Sequence, residues 1–449
     1  MISLRLAASI CMLGSLAGTA ALAQQAQPIA VARASVAPLT AAERAAAVAA
    51  VITAVEARYV FPDRIAAIRG RLSDSLSSGR YDVTDPQVFA ERMTTDLRES
   101  SQDRHMYLTH NPGEYAAAVS SKGDVFDNPE VKALWAAAEK RANGGLSEMR
   151  ILPGNVRYLR ITQFHWVTDR TGQAYDGAMR FLRDGDAVII DLRGNGGGNH
   201  AAVRYLLSHF MKPDTLDITF LQAGKEPIQS RTLDHLPAGR LTDKPLYVLT
   251  DGTVGSAAEA FAYDVQQFRV GTVVGATTGG AANNNEFAPI APGFVLSISS
   301  GRPVHPVSGG NWERVGVIPD VAVDPAIAFD TAAALALKAL LDRGEGAPDD
   351  RAAWEWARAG AEARLKPVRV PLKQLRPLAG TYGGRTILFR NDRLIWRLAN
   401  GQDFPLTPMT ADGLFAVEGT NDRMRARLDG KVLEVHRLDA AAPSRFPRD

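Results

Sequence analysis

The sequence predicts an α/β protein: a mostly parallel core, a helical segment before it and a small antiparallel β domain after it. Three observations carry this. Apolar runs at 187–192 and 246–249 each lead through a glycine-containing turn into a helical pattern, the order of strand–helix crossover units. Between 40 and 100, alanine-rich segments follow capping residues. Beyond 371, short alternating runs flank Asn391-Asp392 and Asp429-Gly430, which are hairpin signals.

Taken in order, the chain opens MISLRLAASICMLGSLAGTAALAQQ. Arg5 gives a charged start, 6–20 an apolar stretch, and Ala21-Leu22-Ala23 a small-x-small end. This predicts a signal peptide (1–23) cut after Ala23 and a periplasmic or secreted chain. The stretch is short for a stable membrane span. It also holds Cys11, the only cysteine, so the mature chain has neither disulfides nor a cysteine nucleophile. Residues 24–37 are polar and alanine-rich and read as a linker. Thr40-x-x-Glu43 is a capping box opening the first helix of a 38–125 helical domain, and a second helix spans 64–78. Asp85-Pro86 opens the third helix. Strands are expected at 156–164, 187–192, 246–249, 272–275 and 294–299. Helices follow near 201–210 and 256–267, and Asp324-Pro325 caps another to about 341. These belong to a 126–345 core. Residues 346–370 read as a linker or helix, and 371–449 as the β domain.

The 449 residues suffice for two or three domains, and 46% hydrophobic with 22% charged content is ordinary for a globular chain. The net charge of +2 is spread along the sequence, with no basic block for nucleic acid and no polybasic stretch for a membrane surface. No segment reads as an oligomer interface.

The chemistry concentrates in PLYVLTDGTVGSAAEAFAYDVQQFRVGTVVG, 245–275. Ser256 stands at a strand–turn–helix junction, where N–H groups and the helix dipole favour negative charge. That suits a nucleophile and the oxyanion it creates. Ser256-x-x-Glu259 is equally a capping box. The glycines of DLRGNGGGN, 191–199, turn N–H groups toward a ligand or simply make a tight turn. A phosphate loop would need GxxxxGK[ST], which is absent, and the spacing is a poor dinucleotide fingerprint. A general base is sought among the histidines. His105, in Asp-Arg-His, competes with His110, His165, His200, His209, His235, His305 and His436. Glu313, in NWERVGVIPD, is either an orienting carboxylate or a surface charge. No cluster shows metal-ligand spacing along the chain, so no metal or other cofactor is predicted.

The segments YVFPDRIAAIRGRL, DRHMYL, VIIDLRGNGGGN, TDGTVGSAAEAFAY, VVGATTGGAAN and GNWERVGVIPDV run in this order over roughly 40–325. Together they resemble the serine peptidase family of the tail-specific (C-terminal processing) proteases and the tricorn core protease, in the branch similar to the interphotoreceptor retinoid-binding protein. The resemblance implies a crotonase-like (ClpP/crotonase-type spiral) core for 126–345. It implies Ser256 as nucleophile, His105 as general base and Glu313 orienting the histidine. The oxyanion donors would be the N–H of Ala257 and of Gly196 or Gly197. Tail-specific proteases use a lysine base after VVG, and here Ala281 falls at that position. A helper serine of the tricorn type is replaced by Arg104. Only about 45 residues separate His110 from Val156, too few for the PDZ domain such proteases carry. The implied activity is cleavage of a peptide or protein substrate through an acyl-enzyme. The alternative on the same fold is a non-catalytic carrier of hydrophobic, retinoid- or fatty-acid-like ligands. A third reading gives the β domain a partner- or cell-wall-binding role.

Overall fold

The computed structural model describes residues 37–120, 129–165 and 168–449. The expected signal peptide, and the linker up to residue 36, lie outside the described residues. Leu39–Asp449 forms one compact unit. No described helix is long and apolar enough to cross a membrane.

Helix α1 (Ala41–Arg58) starts at Thr40, whose hydroxyl accepts the Glu43 N–H while the Glu43 carboxylate accepts the Thr40 N–H. Helices α2 (Pro62–Ser77) and α3 (Pro86–Ser101) follow, the latter capped by Asp85. These three do not close a core by themselves. Val51, Ile68, Leu72, Phe89 and Met93 pack with Ala288, Ile290, Phe294, Leu296 and Ile298, nearly two hundred residues later. Their joint apolar face is larger than three helices can cover, so strands complete it. Gln102 ends α3 in the left-handed conformation (φ 56°), and the chain turns through Asp103–His105 into β1 (Tyr107–His110).

Helices α4 (Pro112–Ser120) and α5 (Pro129–Arg141) lead to β2 (Leu146–Leu152) and β3 (Val156–Ile161). Next come α6 (Asp169–Arg183), β4 (Ala187–Asp191), α7 (His200–Ser208) and the hairpin β5 (Leu216–Gln222) and β6 (Lys225–Arg231). Then follow β7 (Leu246–Thr250), α8 (Ala257–Gln267), β8 (Thr272–Gly275), β9 (Asn284–Ile290), β10 (Phe294–Val304) and β11 (Val321–Ala322). One sheet runs β11-β8-β7-β4-β3-β2, parallel except for the β2–β3 pair. Strands β4 and β7 are buried at every position, which is why they read as unbroken apolar runs. The second sheet, β1-β10-β5-β6 with β9 on β10, is antiparallel. The run expected at 294–299 therefore leaves the parallel core, and its partners β5 and β9, with β6 beyond β5, were not anticipated. Their residues alternate weakly and carry charge, so pattern alone does not mark them.

Residues of α6, α7 and α8 cover one face of the parallel sheet. The other face is covered by α9 (Pro325–Asp342) and α10 (Pro348–Leu365). The 346–370 stretch is thus mainly a core helix: Trp354, Ala357 and Ala361 are buried against the sheet. After α11 (Leu372–Leu375), eight strands pair antiparallel in sequence order. They are β12 (Gly380–Tyr382), β13 (Arg385–Arg390), β14 (Arg393–Arg397), β15 (Asp403–Pro408), β16 (Leu414–Val417), β17 (Met424–Leu428), β18 (Val432–Arg437) and β19 (Ser444–Pro447). Both hairpin signals are real turns: Asn391 and Asp392 have φ of 50° and 59°, and Gly430 has φ 86°.

Candidate active site

The site forms where loops leave the C-terminal ends of β4 and β7, the usual place for function in a parallel sheet. After β4, buried Asp191 takes hydrogen bonds from the Tyr158 hydroxyl (2.8 Å) and from Arg193 Nε (2.9 Å) and Nη2 (2.6 Å). The Arg193 guanidinium also reaches the Pro325 carbonyl, so the start of the glycine loop is bolted to α9. Asn195 is fully buried and organises the rest. Its amide donates to the Ile161 carbonyl (3.0 Å), its Oδ1 accepts the Gly197 N–H (2.8 Å), and its carbonyl accepts the Gly255 N–H (3.0 Å). The last bond seats the glycine loop against the turn that carries Ser256. Contact there is tight: a Cβ on Gly197 would lie 2.7 Å from the Ser256 Cβ. The Gly197 N–H is therefore spent within the loop, whereas that of Gly196 carries no such bond among the described residues.

Ser256 has φ 51° and ψ −121°, a conformation that non-glycine residues avoid. Its hydroxyl makes no cap bond to the helix. The Ser256 N–H instead donates to Glu259 Oε2 (2.9 Å). Glu259 is more than the cap that the S-x-x-E spacing suggested. Fully buried, it also accepts the Thr278 hydroxyl (2.5 Å) and the N–H groups of Gly280 (2.6 Å) and Ala281 (2.8 Å). Burial raises its pKa, and these donors offset part of the rise. Ala257 supplies the first N–H of α8, a donor with no partner inside the helix.

The same loop continues to the second half of the site. The N–H groups of Ala282 (2.6 Å) and Asn283 (3.2 Å) donate to Glu313 Oε2. The Asn283 side-chain amide donates to Asp103 Oδ2 (2.9 Å), and Asp103 Oδ1 accepts the His105 N–H (2.9 Å). Asp103, His105 and Glu313 each offer a ligand atom within 4.8 Å of the others. His105 Nδ1 and Glu313 Oε1 are buried and have no partner. Glu313 is thus no surface charge. Burial, and secondarily the Asp103 carboxylate, push its pKa up to about 7. Burial lowers that of His105, against the raising effect of Asp103, so the ring is held neutral.

Four of the seven competing histidines have partners elsewhere. His209 Nδ1 meets the Tyr205 carbonyl, His200 meets Ser230 and Asp217, His305 faces Asp264, and His436 faces Glu434. Sequence reading passed over Asp103, Asn195 and Asn283. All three stand inside the segments DRHMYL, RGNGGG and GAAN, yet no spacing rule singles them out.

A profile of peptidase family S41 matches residues 155–323. Over that segment the chain is similar to peptidase family S41. A second profile, the N-terminal domain of peptidase S41 in eukaryotic IRBP, matches residues 29–134. The carboxy-terminal processing protease CtpB of Bacillus subtilis is 28% identical over 220 residues, 47% of this chain and 43% of that protein. The carboxy-terminal-processing protease of Bartonella bacilliformis is 26% identical over 178 residues, 38% of this chain and 39% of that protein. The chain thus spans less than half the length of the curated relatives it matches. Among solved structures, a lipoprotein from Streptococcus agalactiae aligns at a TM-score of 0.45 and 17% identity, covering 68% of this chain and 98% of that one.

Proposed function

We propose that this chain is a member of peptidase family S41 and an exported serine peptidase on a crotonase-like core, acting through Ser256, His105 and Glu313. The observation that carries this reading is the 278–283 loop. Its residues grip Glu259, which holds the Ser256 turn, and, from the next residue on, Glu313 and Asp103, which frame His105. A peptide carbonyl carbon is attacked by Ser256 Oγ, whose proton passes to the neutral His105 ring. The tetrahedral oxyanion is met by the N–H groups of Ala257 and Gly196. Collapse breaks the C–N bond, and His105 returns the proton to the leaving amine. Water, deprotonated by the same ring, hydrolyses the ester. Ionised Glu313 accepts the ring N–H and stabilises the imidazolium. No lysine is positioned by the sequence at 281, so a serine–lysine pair is not part of the reading. The leader at 1–23 supports export, and the relatives named carboxy-terminal processing proteases support a peptide or protein substrate.

The test is labelling with a fluorophosphonate probe, with mass mapping, beside hydrolysis of an unfolded protein substrate. Ser256 is expected to carry the label, and Ser256→Ala to lose hydrolysis by roughly 10⁴-fold or more with the fold intact. Unchanged hydrolysis by that variant removes Ser256 from the chemistry. A chain inert to both, yet saturably binding a fluorescent fatty acid, favours the carrier reading.

A further inference from the structure

The cluster of Asp103, His105 and Glu313 holds more acceptors than a catalytic triad needs. A triad requires one carboxylate to receive one imidazole N–H. Here two carboxylates, Asp103 and Glu313, flank the same ring, and the three ligand atoms lie within 4.8 Å of one another. His105 Nδ1, Glu313 Oε1 and the adjoining Asn283 Oδ1 are all buried without a partner. If Nδ1 carries the ring proton, it can satisfy Glu313 Oε1 or Asn283 Oδ1 but not both. No lysine or arginine forms an ion pair with either carboxylate among the described residues. Buried acceptors and like charges in this excess are costly unless a cation joins them.

We infer that Asp103, His105 and Glu313 form a site for one zinc ion, which when filled takes the general base out of use. The inference rests on the peptidase reading for its consequence, not for its binding. One imidazole nitrogen and two carboxylate oxygens are a borderline donor set that suits zinc, with water as the fourth ligand. The outer contacts are those a metal site needs to hold its ligands in place. Asp103 is oriented by Asn283 and by the Tyr59 hydroxyl at 3.4 Å, and Glu313 by two backbone N–H groups. Tetrahedral zinc bonds of about 2.0–2.2 Å demand that donors spaced as these are draw slightly closer, within the reach of side-chain rotation. Chain spacing concealed the set because the third donor arrives from a different loop. Such a device makes the enzyme reversibly silent in a zinc-rich setting.

The experiment is equilibrium dialysis of the chelator-stripped chain against zinc chloride, run on the parent and on Ser256→Ala, Asp103→Asn, Glu313→Gln and His105→Ala. One zinc per chain is expected in the parent and in Ser256→Ala. Affinity should fall by at least about tenfold in each of the other three. Asp103→Asn and Glu313→Gln keep the size of the side chain, so folding and ligation are separable by circular dichroism. Zinc should also slow fluorophosphonate labelling of Ser256 by at least about tenfold, with full recovery in EDTA. Absence of stoichiometric zinc, or affinity unchanged in Asp103→Asn and Glu313→Gln, overturns the site. Binding that behaves as expected in a chain without hydrolysis supports the site and counts against the peptidase reading alone.

Discussion

Glu313 is where the local electrostatics become measurable. A protonated carboxyl has no negative charge with which to stabilise the His105 imidazolium, so kcat/KM should rise with pH through about 7, the value to which burial and Asp103 bring Glu313. In Glu313→Gln that rise should vanish, together with most of the activity. The same group has a stability signature of definite sign. Its folded pKa lies above the ordinary glutamate value of 4.5, so its contribution is complete below that pH and is lost as pH climbs to about 7. The melting temperature of Glu313→Gln relative to the parent should therefore increase between those two pH values. A flat difference would show that Glu313 ionises freely in the folded chain. Some of this was legible beforehand, because Ser256, His105 and Glu313 stand in segments with a recognisable resemblance. Asp103 was not. Its partner Asn283 is 180 residues away, and only folding pairs them.

The 278–283 loop and the start of α8 form one device, and Glu259 is its rivet. A capping glutamate on a free helix contributes about 1 kcal/mol. Glu259→Ala in this setting strips the Ser256, Gly280 and Ala281 N–H groups and the Thr278 hydroxyl of their acceptor in a buried place. Each orphan costs about 1–3 kcal/mol before relaxation. The expected result is a loss of several kcal/mol in urea unfolding together with loss of fluorophosphonate labelling. Labelling that survives at parental rate would mean that the Ser256 turn is held by Asn195 and the glycine loop alone. The strand–turn–helix order around Ser256 and the S-x-x-E spacing were visible in the sequence. The second function of Glu259 was hidden, since hydrogen bonds to backbone N–H groups place no demand on which residues occupy 280 and 281.

The C-terminal antiparallel sheet docks on α10 at one polar seam. Arg425 lies over the Trp356 ring at 3.9 Å and donates to the Trp356 carbonyl, while the Trp356 indole N–H donates to the Asp422 carbonyl. Helix α10 in turn covers the parallel sheet through Trp354, Ala357 and Ala361. The sheet thus braces the core at one remove from Ser256. A chain ending at residue 370 should melt lower than the parent yet label Ser256 at a similar rate. Unchanged melting with abolished labelling would reverse that assignment and give the β region a direct part in the site.

Local chemistry alone dictated the strands β4 and β7, the capped helices α1, α3, α8 and α9, and the hairpin turns at 391–392 and 429–430. Apolar runs, caps and turn residues act over a few neighbours, so they read directly from the chain. The same holds for the Ser256 turn, where glycines and a serine must meet at a strand end. Folding settled the rest: the closure of the α1–α3 core by β9 and β10, the burial of α10, and the meeting of Asp103, His105 and Glu313. Those depend on contacts between segments more than a hundred residues apart, whose energies come from shared burial and from hydrogen bonds that no local pattern records.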